Sequence, residues 1–180
     1  MTILKTPAAR TFLFAAGLAI AGAATAADAP DARVQVSWTD PADFSETSLY
    51  PGSAIGRESP DEWLGNLAAH LRYRAERLLP TGETLQVTFT NVQRAGAYEP
   101  WRGPRWYDVR IIKAIYAPRI DITFAVTDAN GRVVSEGTRQ LRDPSFLQHG
   151  ILNETDPLRY EKWMLDEWLS AEFKPAPTRG

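Results

Sequence analysis

Two histidines and a scatter of carboxylates are the groups in this chain suited to proton transfer or metal binding. His70 lies within a run of helical periodicity, and His149 precedes a glycine in a loop. The sequence contains no cysteine, so a zinc site would have to combine these two imidazoles with carboxylates. Neither has a His, Asp or Glu at ligand spacing beside it in the sequence. His70 therefore reads as a helix-flank residue and His149 as a turn residue, and no metal or other cofactor is expected. No H-E-x-x-H, G-x-S-x-G or glycine-rich phosphate loop occurs, so no residue is assigned a catalytic role. Asp143 is the most informative acid. It stands before Pro144 at the end of a strand-like run, either as a carboxylate poised at a sheet edge or as a turn residue whose side chain accepts a backbone N–H. Turn chemistry alone accounts for it. Glu161 opens the last helical segment, where an acid complements the helix dipole by about 0.3–1 kcal/mol and needs no catalytic role. An enzyme built on Asp143 and Glu161 would require both carboxylates to converge in one cleft with perturbed pKa values.

The strongest candidate for contact is aromatic and basic. Tyr98, Trp101, Arg102, Arg105, Trp106 and Tyr107 fall in one long connection, and rings flanked by guanidinium groups suit sugar stacking or a protein hot spot. The same residues also serve as lids over a small core. Asp108 with Arg110, and Arg119 with Asp121, repeat at i, i+2 in opposite order. If their strands paired, they would form a charge ladder on a wet sheet face. Solvated charge is the default there and a polar binding surface the alternative, so Arg119 and Asp143 join the binding candidates.

These groups need a scaffold, and the periodicity supplies one. Val34, Val36 and Trp38 alternate with polar residues, the pattern of a half-buried strand. Residues 40–57 read as a packed loop holding Phe44, Leu49, Tyr50 and Ile55. Ser59, Pro60 and Glu62 form a capping-box start. Trp63, Leu64, Leu67, Ala68, Leu71, Ala75, Leu78 and Leu79 then make an apolar helical stripe, ended by Pro80 and Gly82. Leu85, Val87 and Phe89 mark a second strand, and residues 91–105 a connection. Trp106 to Tyr116 looks strand-like, with a bulge between Ile111 and Ile112. Ile120, Ile122, Phe124 and Val126 give the cleanest alternation. Asp128-Ala129-Asn130-Gly131 is a hairpin turn into a strand from Arg132 to about Gln140. A last helix is capped by Asp156, starts at Pro157 and carries Tyr160, Trp163, Met164, Leu165, Trp168, Leu169 and Phe173. The expected fold is α+β: a two-layer sandwich with a mainly antiparallel sheet of about five strands covered on one face by two helices, in the order β-α-β-β-β-β-α.

The amino terminus predicts export. Lys5 and Arg10 precede an apolar run from Phe12 to Ala21, and Ala24-Thr25-Ala26 is an A-x-A site, so residues 1–26 read as a cleavable leader. The run is shorter than the roughly 20 apolar residues needed to cross a bilayer, so no membrane span is expected. Residues 27–32 would be a flexible lead-in, 33–174 one domain and 175–180 a disordered tail. Without the leader, 18 basic and 22 acidic residues leave a net charge of −4, which argues against nucleic acid as a partner. The periplasm or the extracellular medium is the expected location. The absence of any catalytic signature and the contact loop together point to a non-catalytic binding or accessory protein of the cell envelope, with an envelope protein or a glycan as partner. The alternative is an envelope hydrolase or metal-assisted enzyme.

Several runs are familiar. Leu78-Leu79-Pro80-Thr81-Gly82-Glu83-Thr84-Leu85, Ala117-Pro118-Arg119-Ile120-Asp121, Thr127 to Gly131, Leu141 to Phe146, and Leu158 to Leu165 follow one another in an order and spacing that resembles the bacterial "domain of unknown function 3016" family. The resemblance covers most of the chain after the leader. It implies an exported proteobacterial protein and supplies no activity. Where that family favours acidic residues before an Ala-Gly pair, this chain has Asn91-Val92-Gln93-Arg94-Ala95-Gly96. That departure would neutralise any metal or proton-transfer role of those acids.

Overall fold

A computed structural model describes residues 32–49, 59–149 and 155–173. The expected leader, most of the lead-in and the tail lie outside the described residues, as do Tyr50 and Ile55 of the 40–57 loop.

The architecture is α+β, and alternation builds its sheet. Strand β1 (Val34–Trp38) buries its first, third and fifth residues. Helix α2 (Pro60–Leu78) then carries the chain back to β2 (Thr84–Gln93), which pairs parallel to β1. A crossover helix is what lets sequential strands run parallel. Strands β5 (Arg119–Thr127) and β6 (Val133–Arg142) complete an antiparallel set, giving the order β1-β2-β5-β6. Asp128 closes the β5–β6 turn by accepting the N–H groups of Asn130 and Arg132 at 2.8 and 3.0 Å, with Gly131 at φ 76°.

Helices α2 and α3 (Arg159–Glu172) cover one face of this sheet. Trp63, Leu64, Leu67 and Leu71 from α2 and Leu165 and Leu169 from α3 meet Val34, Leu85, Phe89, Ile120 and Ile122 in one core, each no more than 1% exposed. Burial of each such side chain stabilises by about 1.5–3 kcal/mol. Ser59 caps α2 by accepting the Glu62 N–H at 3.2 Å, as the capping signature predicts. Beyond the other end of α2, Arg33 donates to the carbonyls of Leu79 and Pro80 at 3.1 and 2.8 Å. The opposite face of the sheet exposes Gln86, Thr123, Thr138 and Gln140.

Several expected details differ. Among the described residues the main sheet has four strands rather than about five, and a separate ribbon pairs β3 (Ala97–Tyr98) with β4 (Arg110–Ile111). The run Trp106–Tyr116 is not one strand, because a 3-10 turn at Pro104–Trp106 and a turn closed by Tyr116 N–H on the Lys113 carbonyl interrupt it. The bulge lies between Phe89 and Asn91 instead, with a second irregularity at Val126/Thr127. One extra residue switches the phase, so Phe89 and Val92 both face the core and β2 continues to Gln93. A short helix α1 (Ser45–Leu49) stands in the expected loop, whose Phe44 is fully buried. Leu78 leaves the predicted stripe and is 37% exposed. Helix α3 begins two residues after Pro157, and Asp156 caps the turn before it by accepting the Leu158 N–H at 2.8 Å.

Candidate functional site

Between β2 and β5 the chain leaves the sheet as an arch, residues 94–118, and buried carboxylates fix its root. Glu46 of α1 is 7% exposed. Its Oε2 accepts the Arg94 N–H at 3.1 Å, and its Oε1 accepts Arg94 Nε and Nη2 at 3.2 and 3.1 Å. Arg110 Nη2 donates to the same Oε1. Arg110 Nη1 also donates to the carbonyls of Ala95 and Gly96, both at 3.2 Å, so one side chain ties β4 to the end of β2. The two guanidinium groups lie over aromatic rings, Arg94 on Trp63 and Arg110 on Tyr98, each 4.8 Å from the centroid. Gly96 takes φ 82°, and a Cβ there would sit 2.8 Å from the Ile111 carbonyl oxygen, so the arch closes only with glycine.

Glu99, 1% exposed, is a second anchor. Its Oε1 accepts Lys113 Nζ at 2.5 Å and Tyr116 OH at 2.9 Å, and its Oε2 pairs with Arg102 Nε. The Lys113 hydrogen bond, helped by Tyr116 and Arg102, holds this carboxyl below its usual range despite burial. The outer part of the arch consists of two 3-10 turns, Pro100–Arg102 and Pro104–Trp106. Trp101 is 72% exposed there, and Arg102 lies 5.6 Å over the Trp106 ring. Arg102, Gly103, Pro104, Arg105 and Trp106 line an open cleft of about 580 Å³.

The predicted contact residues therefore divide. Arg102, Arg105 and Trp106 share one cleft, with exposed Trp101 and Tyr107 flanking its residues in the chain, whereas Tyr98 is buried beneath Arg110. Arg119 stands apart on β5, paired in register with Gln93 and Arg142. The expected charge ladder does not form, because β4 pairs with β3. Asp121 is bridged by Arg142 at 2.7 Å instead.

Asp143 forms its turn, accepting the Ser145 N–H at 3.0 Å. Its other oxygen meets His149 Nε2 at 2.8 Å, and that imidazole stacks on Trp163 at 4.9 Å. Both histidines hold a carboxylate, since His70 Nε2 meets Asp166 at 3.0 Å. Asp166 lies 96 positions away in the sequence, where no local spacing could signal it. Among the described residues no three His, Asp or Glu side chains gather as a metal site would require.

Glu161 is fully buried inside the root of the arch, not at a solvated helix start. Its Oε1 accepts the Ala95 N–H at 2.6 Å, and its Oε2 has no hydrogen-bond partner among the described residues. No described side chain bonds both Asp143 and Glu161. Burial pushes the Glu161 carboxyl above its ordinary range, against the opposing pull of the Ala95 N–H and of Arg94 and Arg110. The folded state thus binds this proton more tightly than the unfolded chain. That contribution is complete below the ordinary glutamate pKa and is lost as pH rises through the folded-state value. Glu161→Gln, which imitates the protonated form, is expected to flatten the decline. Denaturant melts of the two proteins between pH 4 and 8 check this, and curves of identical slope would refute it.

Glu46 and Glu99 carry no mark in the sequence reading, and Arg110, expected on a charge ladder, instead meets Glu46. Only the i, i+3 spacing of Glu99 and Arg102 offered a local signal. A family model described as "Protein of unknown function (DUF3016)" matches residues 32–171. No curated protein and no solved structure matches the chain.

Proposed function

The chain belongs to the DUF3016 family of proteins of unknown function, and from that premise we propose that it is an exported, non-catalytic binding or accessory protein of the cell envelope. One observation carries this reading. Trp101 leaves 72% of its surface in water while the loop bearing it is bound at its base to a buried carboxylate, Glu99. A large aromatic side chain held out by a fixed support gains little for folding. The backbone that bears it has, however, already given up freedom that binding would otherwise cost.

Export to the periplasm is supported by the leader pattern of Lys5, Arg10, the apolar run to Ala21 and Ala24-Thr25-Ala26. Among the described residues no helix is long and apolar enough to cross a membrane. The alternative enzyme has the Asp143–His149 pair in its favour. Glu161, its other acid, is committed to the Ala95 N–H inside the fold, so the binding reading is the better supported.

Crosslinking in intact cells with a membrane-impermeant reagent tests both location and role. The wild-type protein is expected to capture a partner. Trp101→Ala should capture about tenfold less with its melting temperature nearly unchanged. Absence of any crosslink to the wild type, or a large loss of stability in the variant, would defeat the proposal.

A further inference from the structure

The geometry points to an acidic saccharide, a sugar carrying a carboxylate or phosphate, as the ligand of the cleft at Arg102–Trp106. This inference rests on the reading of the arch as a binding platform. Four features converge on it. The cleft is lined by two cations, Arg102 and Arg105, and by no acid. Arg102 spends only its Nε on Glu99, and its terminal nitrogens bond no other group among the described residues. They form the planar fork that receives a carboxylate or phosphate by two parallel hydrogen bonds. Arg105 is exposed and has no ion pair among the described residues. The acid beneath is already matched, since Glu99 faces both Arg102 and Lys113. The cleft is therefore a positive spot on a chain of net charge −2.

Shape narrows the class of anion. A cleft of about 580 Å³ falls within the roughly 300–1,000 Å³ typical of small-molecule sites. Its lining is one continuous segment with no strand edge to which an extended peptide could add. Trp106 lies in the cleft with Arg102 over one face of its ring, and Trp101, beside the lining in the chain, leaves 72% of its surface exposed. Flat apolar faces beside a guanidinium fork suit a pyranose ring, which offers an apolar face and an equatorial anion together.

Isothermal titration with tetragalacturonate tests this, with its methyl ester as the neutral twin and tetraglutamate as an anion without rings. Tetragalacturonate should bind, and the ester and the peptide should bind at least tenfold more weakly. Trp101→Ala and Arg105→Ala, both changes at exposed residues, should each weaken tetragalacturonate about tenfold. Equal binding of the ester overturns the charge requirement, and equal binding of tetraglutamate overturns the sugar. If tetragalacturonate fails to bind while Trp101-dependent crosslinking persists, the saccharide inference falls and the platform stands. If both fail, the platform falls with it.

Discussion

Glu46→Ala is expected to destabilise the protein by about 3–5 kcal/mol, the cost of removing one partner from a buried ion cluster. The reason lies in what remains. Arg94 and Arg110, with side chains 11% and 17% exposed, would keep their charges at the root of the arch with no carboxylate from α1 to meet them. Arg94 would also lose the acceptor of its backbone N–H. Against a total of about 5–15 kcal/mol for a domain of this kind, such a loss is severe. Urea titration measures it directly, and the Arg110→Met single and double variants complete a thermodynamic cycle. A coupling energy above about 1 kcal/mol is expected for groups in contact. The arch should loosen with the core, so limited trypsin digestion should cut sooner after Arg102 and Arg105. A cost below about 1 kcal/mol would show that the cluster is solvated and holds nothing.

Trp63→Ala is expected to cost a similar amount, about 3–5 kcal/mol, because a ring only 1% exposed leaves a cavity among packed neighbours. At about 2–4 °C per kcal/mol for a domain of this size, the melting temperature should fall by roughly 10 °C. Loss of the Arg94 stacking contact adds to the cavity, since that guanidinium lies 4.8 Å from the ring centroid. Trp63→Phe keeps a ring beneath Arg94 and should recover more than half of the loss. Both Trp63 and Glu46 touch Arg94, so the double variant should lose less than the two single losses combined. Strict additivity would mean that Arg94 does not connect core and arch.

Much of the scaffold was legible because it follows from local rules. The capping serine and proline of α2, the strict alternation of Ile120 to Val126 and the Asp128–Gly131 turn each act within a few residues. Their signals survive whatever the rest of the chain does. Periodicity ends the β2 strand at Thr90 because a bulge between Phe89 and Asn91 reverses the apolar phase, and a reversal looks like an end. The strand expected at Trp106–Tyr116 fails for a related reason. Its side chains have strand-like character, but only Arg110 and Ile111 pair with another strand, and the Arg110 and Lys113 side chains are held by Glu46 and Glu99.

The same distinction separates the two halves of the candidate site. That rings and guanidinium groups crowd residues 98–107 is a property of the sequence by itself. Which of them face water was decided by tertiary structure, which buried Tyr98 under Arg110 and left Trp101 outside. Glu161 shows the limit most clearly. As a sequence position it is an ordinary acid at a helix start, yet it lies at the root of the arch against an amide 66 residues away. Hydrophobic periodicity can state which side chains must leave water, because that cost is paid residue by residue. It cannot state which buried charges will meet, because the free energy of a charge in low dielectric is set by neighbours that only the closed chain assembles.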